Sequence, residues 1–267
     1  MGSETTYENL EAFVNNVRAN GRYSFSWQEV RQNFSISDKA LNQSLFRLKK
    51  KNKIARIRKG FYAIIVPEYS KEGMIPPPLF MDDLMKSLGK SYYVGLFSAA
   101  ALHGAAHQQP MEYYVITQKP ALRNIRTNKL KINFFVKKKW PEQAIVQKKT
   151  DAGYMQVSSP ELTAIDLLAY GDFGINRVLN VLEELSELMK PSDLFKIANN
   201  NVQTSTIQRL GYLIDKITGN KKLSESLKRV LKSRKIHPVP LLKNASNKGS
   251  LDTDWNVIIN TDIYSDK

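Results

Sequence analysis

Residues 54–65 read Ile-Ala-Arg-Ile-Arg-Lys-Gly-Phe-Tyr-Ala-Ile-Ile. Two β-prone runs flank the basic turn Arg58-Lys59-Gly60, the pattern of a hairpin whose glycine supplies the turn. What precedes the hairpin decides what it belongs to. Leu10, Phe13, Val14 and Val17 recur at i, i+3, i+4 and i+7, one apolar helical stripe that stops near Asn20-Gly21. Ser26 and Glu29 have capping-box spacing and start a second, short helix with Trp27, Val30 and Phe34 as its buried face. Ser35-Ile36-Ser37 is a tight connection, with Ser37 as N-cap of a third helix. In that helix Leu41, Leu45 and Leu48 point one way. At about 100° per residue, Lys39, Gln43 and Lys50 point roughly opposite, with Arg47 on the flank. Two short helices on a tight turn, followed by a basic hairpin, make a winged helix-turn-helix, whose second motif helix reads DNA. Without DNA the same segment is a small α+β packing module. Phe46 lies near the exposed side, where it either packs under the wing or meets a thymine methyl.

Charge is distributed in blocks. The chain of 267 residues carries 40 Lys+Arg and 25 Asp+Glu, a net charge of +15. Residues 1–66 hold 12 basic and 5 acidic side chains, residues 119–149 hold 10 and 1, and residues 221–249 hold 9 and 1. The intervening segments are mildly acidic. Clustered positive charge raises the potential where a polyanion docks; a solvated lysine-rich surface produces the same count. Hydrophobic residues make up 42% of the chain, enough for a buried core and too many for a disordered basic tail. The absence of cysteine excludes disulfide scaffolds, thiolate zinc sites, Fe–S clusters and a cysteine nucleophile. The longest apolar runs, such as Phe61 to Val66, are too short to span a bilayer, and no secretory signal is visible. A cytoplasmic, soluble protein without membrane contact is the expectation.

Pro67, Ser70 to Gly73 and Pro76-Pro77-Pro78 interrupt regular structure, so 1–66 is predicted as the winged-helix domain, 67–78 as a linker and 79–267 as a second domain. The pattern after the linker predicts helices over 80–88, 95–103, 159–170, 176–189, 192–198, 204–218 and 224–232. Strands are expected over 113–117, 131–136, 144–146, 153–157 and 254–259. The fold class is therefore α+β, a winged helix-turn-helix plus a larger mixed α/β domain with a small sheet and several helices.

Catalytic chemistry is sparse. His103 and His107 have the spacing of helical metal ligands, but Gly104 stands where a zincin carries glutamate, and a helix-ending His-Gly pair explains them without a metal. Asp166 falls on the apolar side of its helix, where a carboxylate must be paired or hydrogen-bonded. With Asp151 and Glu161 it could instead serve a DNA-targeted, metal-dependent nuclease, although the strand-borne Asp/Glu-x-Lys pattern of many nucleases is not visible nearby. No phosphate loop, dinucleotide fingerprint or nucleophile elbow occurs. Neither an enzyme nor a cofactor is expected. Lys137, Lys138 and Lys139, and the i, i+4 pair Lys228 and Lys232, form possible accessory basic surfaces for phosphates, RNA or an acidic partner.

Four stretches together resemble the AbiEi-type antitoxins, the regulatory half of a bacterial abortive-infection toxin–antitoxin pair. They are Ile57-Arg58-Lys59-Gly60-Phe61-Tyr62, Tyr93 through Gly104 (YVGLFSAAALHG), Ser158 through Leu168 (SSPELTAIDLL) and Gln208 through Leu213 (QRLGYL). The second and third of the C-terminal stretches are the more specific. The resemblance implies an N-terminal domain that binds inverted repeats in its own promoter and represses the operon. It also implies a C-terminal domain that neutralises a nucleotidyltransferase-like toxin in phage defence. The expected contacts to double-stranded operator DNA are Ser37, Lys39, Asn42, Gln43, Arg47, Lys50, Lys51, Arg58 and Lys59. A protein-interaction module without DNA binding is the remaining alternative.

Overall fold

The computed structural model describes residues 7–105, 111–170, 173–200, 202–246 and 248–263. The chain divides into two units, one of residues 1–92, 122–133 and 147–156, the other of 93–121, 134–146 and 157–267.

In the first unit, helix α1 (Leu10–Ala19) starts on Asn9, whose side chain accepts from the Ala12 N–H. A short strand β1 (Ser24–Ser26) leads into α2 (Trp27–Asn33). The predicted capping box is present: Ser26 Oγ accepts from the Glu29 N–H at 3.1 Å, and Glu29 Oε2 accepts from the Ser26 N–H at 2.7 Å. Helix α3 (Asp38–Lys50) begins on Ser37, which accepts from the Ala40 N–H. Arg31 fixes the turn between α2 and α3, donating to the Phe34 carbonyl and pairing with Asp38 at 2.9 Å. Strands β2 (Ile54–Arg58) and β3 (Phe61–Ile64) form the predicted hairpin, with Lys59-Gly60 between the partners Arg58 and Phe61. Gly60 has φ +76°, a left-handed conformation that costs glycine nothing.

The wing has three strands rather than two. β1 pairs antiparallel with β3, giving the order β1-β3-β2. At three residues, Ser-Phe-Ser is too short for its alternation to mark a strand in the sequence. Its Phe25 is fully buried and stacks on Tyr62 at 5.6 Å. The winged-helix core contains the predicted Phe13, Val14, Val30, Leu41 and Leu45, all buried, together with Phe25, while Trp27 and Phe34 pack part-buried against it. Each such buried side chain is worth roughly 1.5–3 kcal/mol of transfer free energy.

Residues 67–78, read from sequence as a linker, form two 3₁₀ turns (Pro67–Tyr69 and Pro77–Leu79) and bury Ile75. They lead to α4 (Met81–Ser87). Asp83 of α4 accepts from the Ser24 hydroxyl at 3.0 Å and from Arg22 at 3.2 Å, and Arg22 also pairs with Glu29 at 2.7 Å. Burial raises the Glu29 carboxyl, but the bonds from Arg22 and the Ser26 N–H outweigh it and hold the group below the ordinary carboxylate range.

The chain continues through β4 (Tyr92–Val94), α5 (Leu96–Leu102), β5 (Tyr113–Thr117), β6 (Ile125–Arg126), β7 (Lys131–Val136), β8 (Ile145–Thr150) and β9 (Gly153–Ser158). These strands order as β6-β7-β5-β4-β9-β8, with β4 and β9 parallel at Val94↔Val157. The second unit then adds α6 (Pro160–Ala169), α7 (Ile175–Leu188), α8 (Pro191–Asn199), α9 (Thr204–Leu213) with a π turn over Ile214–Thr218, and α10 (Lys221–Leu231). Helix α10 starts three residues earlier than the pattern suggested, because Asn220 caps it by accepting from the Leu223 N–H. Strands β10 (Val239–Pro240), β11 (Ser250–Asp252) and β12 (Val257–Ile259) close a sheet of order β10-β12-β11. The α+β class is thus observed, with a winged helix-turn-helix at the N-terminal end.

Gly211 sits inside α9 because the Trp255 ring occupies the space where a Cβ would project. Helix propensity alone favours alanine there by about 1 kcal/mol. Overpacking against a fully buried indole costs about 1–3 kcal/mol. Gly211→Ala is therefore expected to lower the melting temperature, and a variant that melts at or above wild type would show the Trp255 contact to be loose.

Candidate nucleic-acid interface

Helix α3 and the β2–β3 hairpin carry the polar face of the first unit. The apolar stripe Leu41, Leu45 and Leu48 seats α3 on the core, each residue at most 6% exposed. The seating turns Lys39, Asn42, Gln43, Arg47 and Lys50 outward, all exposed. Lys51 and Lys59 are exposed as well, and Arg58 is half-buried. The Arg58 Nη1 is buried and has no hydrogen-bond partner among the described residues. Ser37 is exposed, yet its hydroxyl oxygen already caps α3. Phe46 is 66% exposed, so it does not pack under the wing. It stands on the outward face beside Gln43 and Arg47, an apolar contact surface that the sequence left undecided.

This face has the chemistry of duplex recognition. Asn and Gln match adenine edges, Arg matches guanine, Lys meets phosphate, and an exposed aromatic ring can meet a thymine methyl. Glycine in the Lys59-Gly60 turn keeps the wing tip tight.

The other basic segments have varied surroundings. Lys228 lies 3.8 Å from Asp215 and 5.2 Å from the Trp255 ring centre. Arg229 stacks over Phe195, and Arg234 donates to the carbonyls of Ala198, Asn199 and Val202, where α8 ends. Much of block 221–249 therefore holds its own unit together. Lys232 is exposed. Lys137 pairs with Asp166, while Lys138 and Lys139 are exposed.

The carboxylates considered for catalysis are held by neighbours. Glu161 accepts from the Ser159 hydroxyl and from the Lys190 N–H, both at 2.8 Å, and so bonds the N-cap residue of α8. Asp166 is fully buried and accepts from the Tyr93 hydroxyl at 2.7 Å and from Lys137. Burial pushes its carboxyl above the ordinary range despite the pull of Lys137 and Tyr93. Asp151 lies in the turn between β8 and β9 and is exposed. Among the described residues no three His, Asp or Glu side chains are grouped to hold a metal. His103 ends α5, its Nε2 2.7 Å from the Ser158 carbonyl, with Gly104 in the left-handed region after it; His107 lies outside the described residues.

The conspicuous C-terminal stretches also act as braces. Gln208 donates to the carbonyls of His237, Trp255 and Asn256, and the Arg209 Nε donates to that of Pro240. Asp215, on the π turn, accepts from Lys221, Ser224 and the Trp255 indole. No sequence signal distinguished Asp215, because its partners lie up to 40 residues away.

The fold defines a winged-helix protein with a further α/β unit. Residues 93–216 match the family model of the AbiEi antitoxin C-terminal domain, a similarity in line with the resemblance read from the sequence. The crystal structure of the RV2827C protein from Mycobacterium tuberculosis aligns with a TM-score of 0.65 at 13% identity, over 92% of this chain and 89% of that one, a likeness of fold. No curated protein matches the chain. No helix among the described residues is long and apolar enough to cross a membrane.

Two of the buried carboxylates have measurable consequences. Burial raises the Asp215 carboxyl, but the bonds from Lys221 and Trp255 and the charge of Lys228 outweigh it and hold the group at about 2. An unfolded aspartate titrates near 3.9, so the depressed group stabilises the fold fully above about pH 4 and loses that contribution as pH falls toward 2. Urea melts of Asp215→Asn should show a loss of about 2 kcal/mol at neutral pH that narrows below about pH 4; a pH-independent gap would contradict the ion-pair origin. For Asp166, removing one member of a buried pair costs about 3–5 kcal/mol, so Asp166→Ala should melt well below wild type and Asp166→Asn less so. A catalytic role would show as divalent-metal-dependent cleavage lost in Asp166→Asn with the melting temperature unchanged.

Proposed function

We propose that the protein is a DNA-binding repressor and antitoxin, with α3 and the wing docking on inverted repeats of its own operator. The observation that carries this reading is the outward face of α3. Lys39, Asn42, Gln43, Phe46, Arg47 and Lys50 form one solvent-exposed stripe, opposite the buried leucines. In a helix-turn-helix the second helix enters the major groove, so Asn42, Gln43 and Arg47 reach base edges while Lys39, Lys50 and Lys51 meet phosphates. Arg58 and Lys59 reach the adjoining backbone from the wing. The match of residues 93–216 to the antitoxin domain model supports the second half of the reading, in which the C-terminal part counters a nucleotidyltransferase-like toxin, as expected for abortive-infection phage defence.

The test is a gel shift with the DNA upstream of the gene. Charge reversal at Arg47, Lys50, Arg58 and Lys59 together should abolish the shift while leaving toxin neutralisation in growth assays largely intact. Loss of a phosphate contact alone, as in Lys50→Ala, should weaken binding uniformly across sequences and lower the salt slope by about one. Gln43→Ala should relax specificity at one position by about 1–3 kcal/mol. Unchanged binding by the fourfold variant would remove α3 and the wing as the DNA surface. Co-purification with a partner in the complete absence of DNA binding would favour the interaction-module reading.

A further inference from the structure

The second unit contains a cleft of about 890 Å³ that DNA binding by α3 and the wing does not use. It is lined by the segment after β7, carrying Lys138 and Trp140, by Leu162 and Ile165 of α6 with Tyr170, and by Lys196 of α8 and the start of α9. Its volume lies within the range of small-molecule sites.

Four observations set the chemistry of a ligand. Helix α9 begins at the cleft with Gln203 as N-cap, and no side chain caps it. The first N–H groups of a helix, with its dipole, attract anions. Thr206, in that first turn, is 1% exposed and lines the cleft, and its hydroxyl has no hydrogen-bond partner among the described residues. A buried hydroxyl without a partner is a cost that a bound acceptor relieves. Lys138 and Lys196 both line the cleft and are exposed; among the described residues Lys196 has a 3.6 Å pair with Asp193, itself 43% exposed. Finally, the half-buried Trp140 offers an indole beside apolar floor residues, held by its ring contact with Tyr93 at 5.3 Å. Lys137 is not part of the anion site, because Asp166 neutralises it. Of the remaining charged groups lining the cleft, Lys139 adds to the positive side and Glu142 and Asp193 oppose it.

We infer that this cleft binds a nucleotide. Its phosphates sit at the N-terminus of α9, between Lys138 and Lys196, with Thr206 donating to a phosphate oxygen. Its base lies against Trp140. Positive charge and an uncapped helix start select the phosphates; the indole and the apolar floor select a flat ring over a bare anion. The cleft and the α3 face share no residue.

The experiment is isothermal titration of the full chain with ATP, GTP, CTP and UTP in turn, against inorganic tripolyphosphate and a short single-stranded RNA. At least one nucleoside triphosphate should bind, with tripolyphosphate about tenfold weaker or more. Lys138→Glu with Lys196→Glu, both at exposed positions, should weaken that binding by about tenfold or more, and Thr206→Val should weaken it several-fold with an unchanged circular dichroism spectrum. Quenching of tryptophan fluorescence by the nucleotide should vanish in Trp140→Phe. If Thr206→Val misfolds, the lysine pair decides. Absence of nucleotide binding, equal affinity for tripolyphosphate, binding of RNA but no mononucleotide, or affinity untouched by the lysine pair would each overturn the inference.

Discussion

A fully buried carboxylate has to be answered by donors, and Asp166 organises the second unit for that reason. Its two donors come from separate strands: Tyr93 from β4 and Lys137 from the end of β7. One side chain on α6 thereby fixes the helix against two strands of a sheet. Lys137 also lies 5.4 Å from the Tyr170 ring centre, and the Tyr170 hydroxyl donates to the Val136 carbonyl. The path of residues 136–140 is set by these contacts, and so is the place of Lys138 and Trp140. Replacing such a pair with apolar residues of similar volume is often harmless, whereas removing one member is not. What the pair supplies is a defined position for the strand end, at the cost of burying charge.

Net charge has a different meaning in each block. On α3 the cations face solvent along one stripe, and none of the lysines of α3 or the wing forms an ion pair among the described residues. In block 221–249, Lys221 and Lys228 converge on Asp215, and Arg229 and Arg234 pack on α8. A lysine count cannot separate these uses. The difference lies in whether an acidic or aromatic partner arrives from elsewhere in the chain.

The sequence made the winged helix legible because its signals are local. Capping pairs three residues apart, a leucine stripe and a glycine turn are each read within one turn of helix or one hairpin. The long strands β5 and β7 and most helix bounds followed in the same way. β1, β4, β6, β10 and β11 did not, since strands of two or three residues owe their existence to the neighbour they pair with. The cleft was hidden for a related reason: Lys138, Lys196 and Thr206 are 68 residues apart at the extremes and share no motif. Asp166 was conspicuous as a carboxylate on an apolar face, but its partners Tyr93 and Lys137 were not. Phe46 shows the limit from the other side, because helical angle placed it near the surface and only the packed wing shows the ring uncovered.

Arg22 is one guanidinium shared between two acids, Glu29 in the capping box of α2 and Asp83 on α4. Sharing makes the two attachments a linked equilibrium. Glu29 holds the Nη1 and Asp83 the Nε of the same guanidinium, so losing one acid frees motion in the group that the other still holds, and the two contacts need not contribute additively. The start of the reading motif and the docking of α4 are thus energetically coupled through a single side chain, and a perturbation arriving at α4 reaches the helix that precedes α3 without any change in the apolar core.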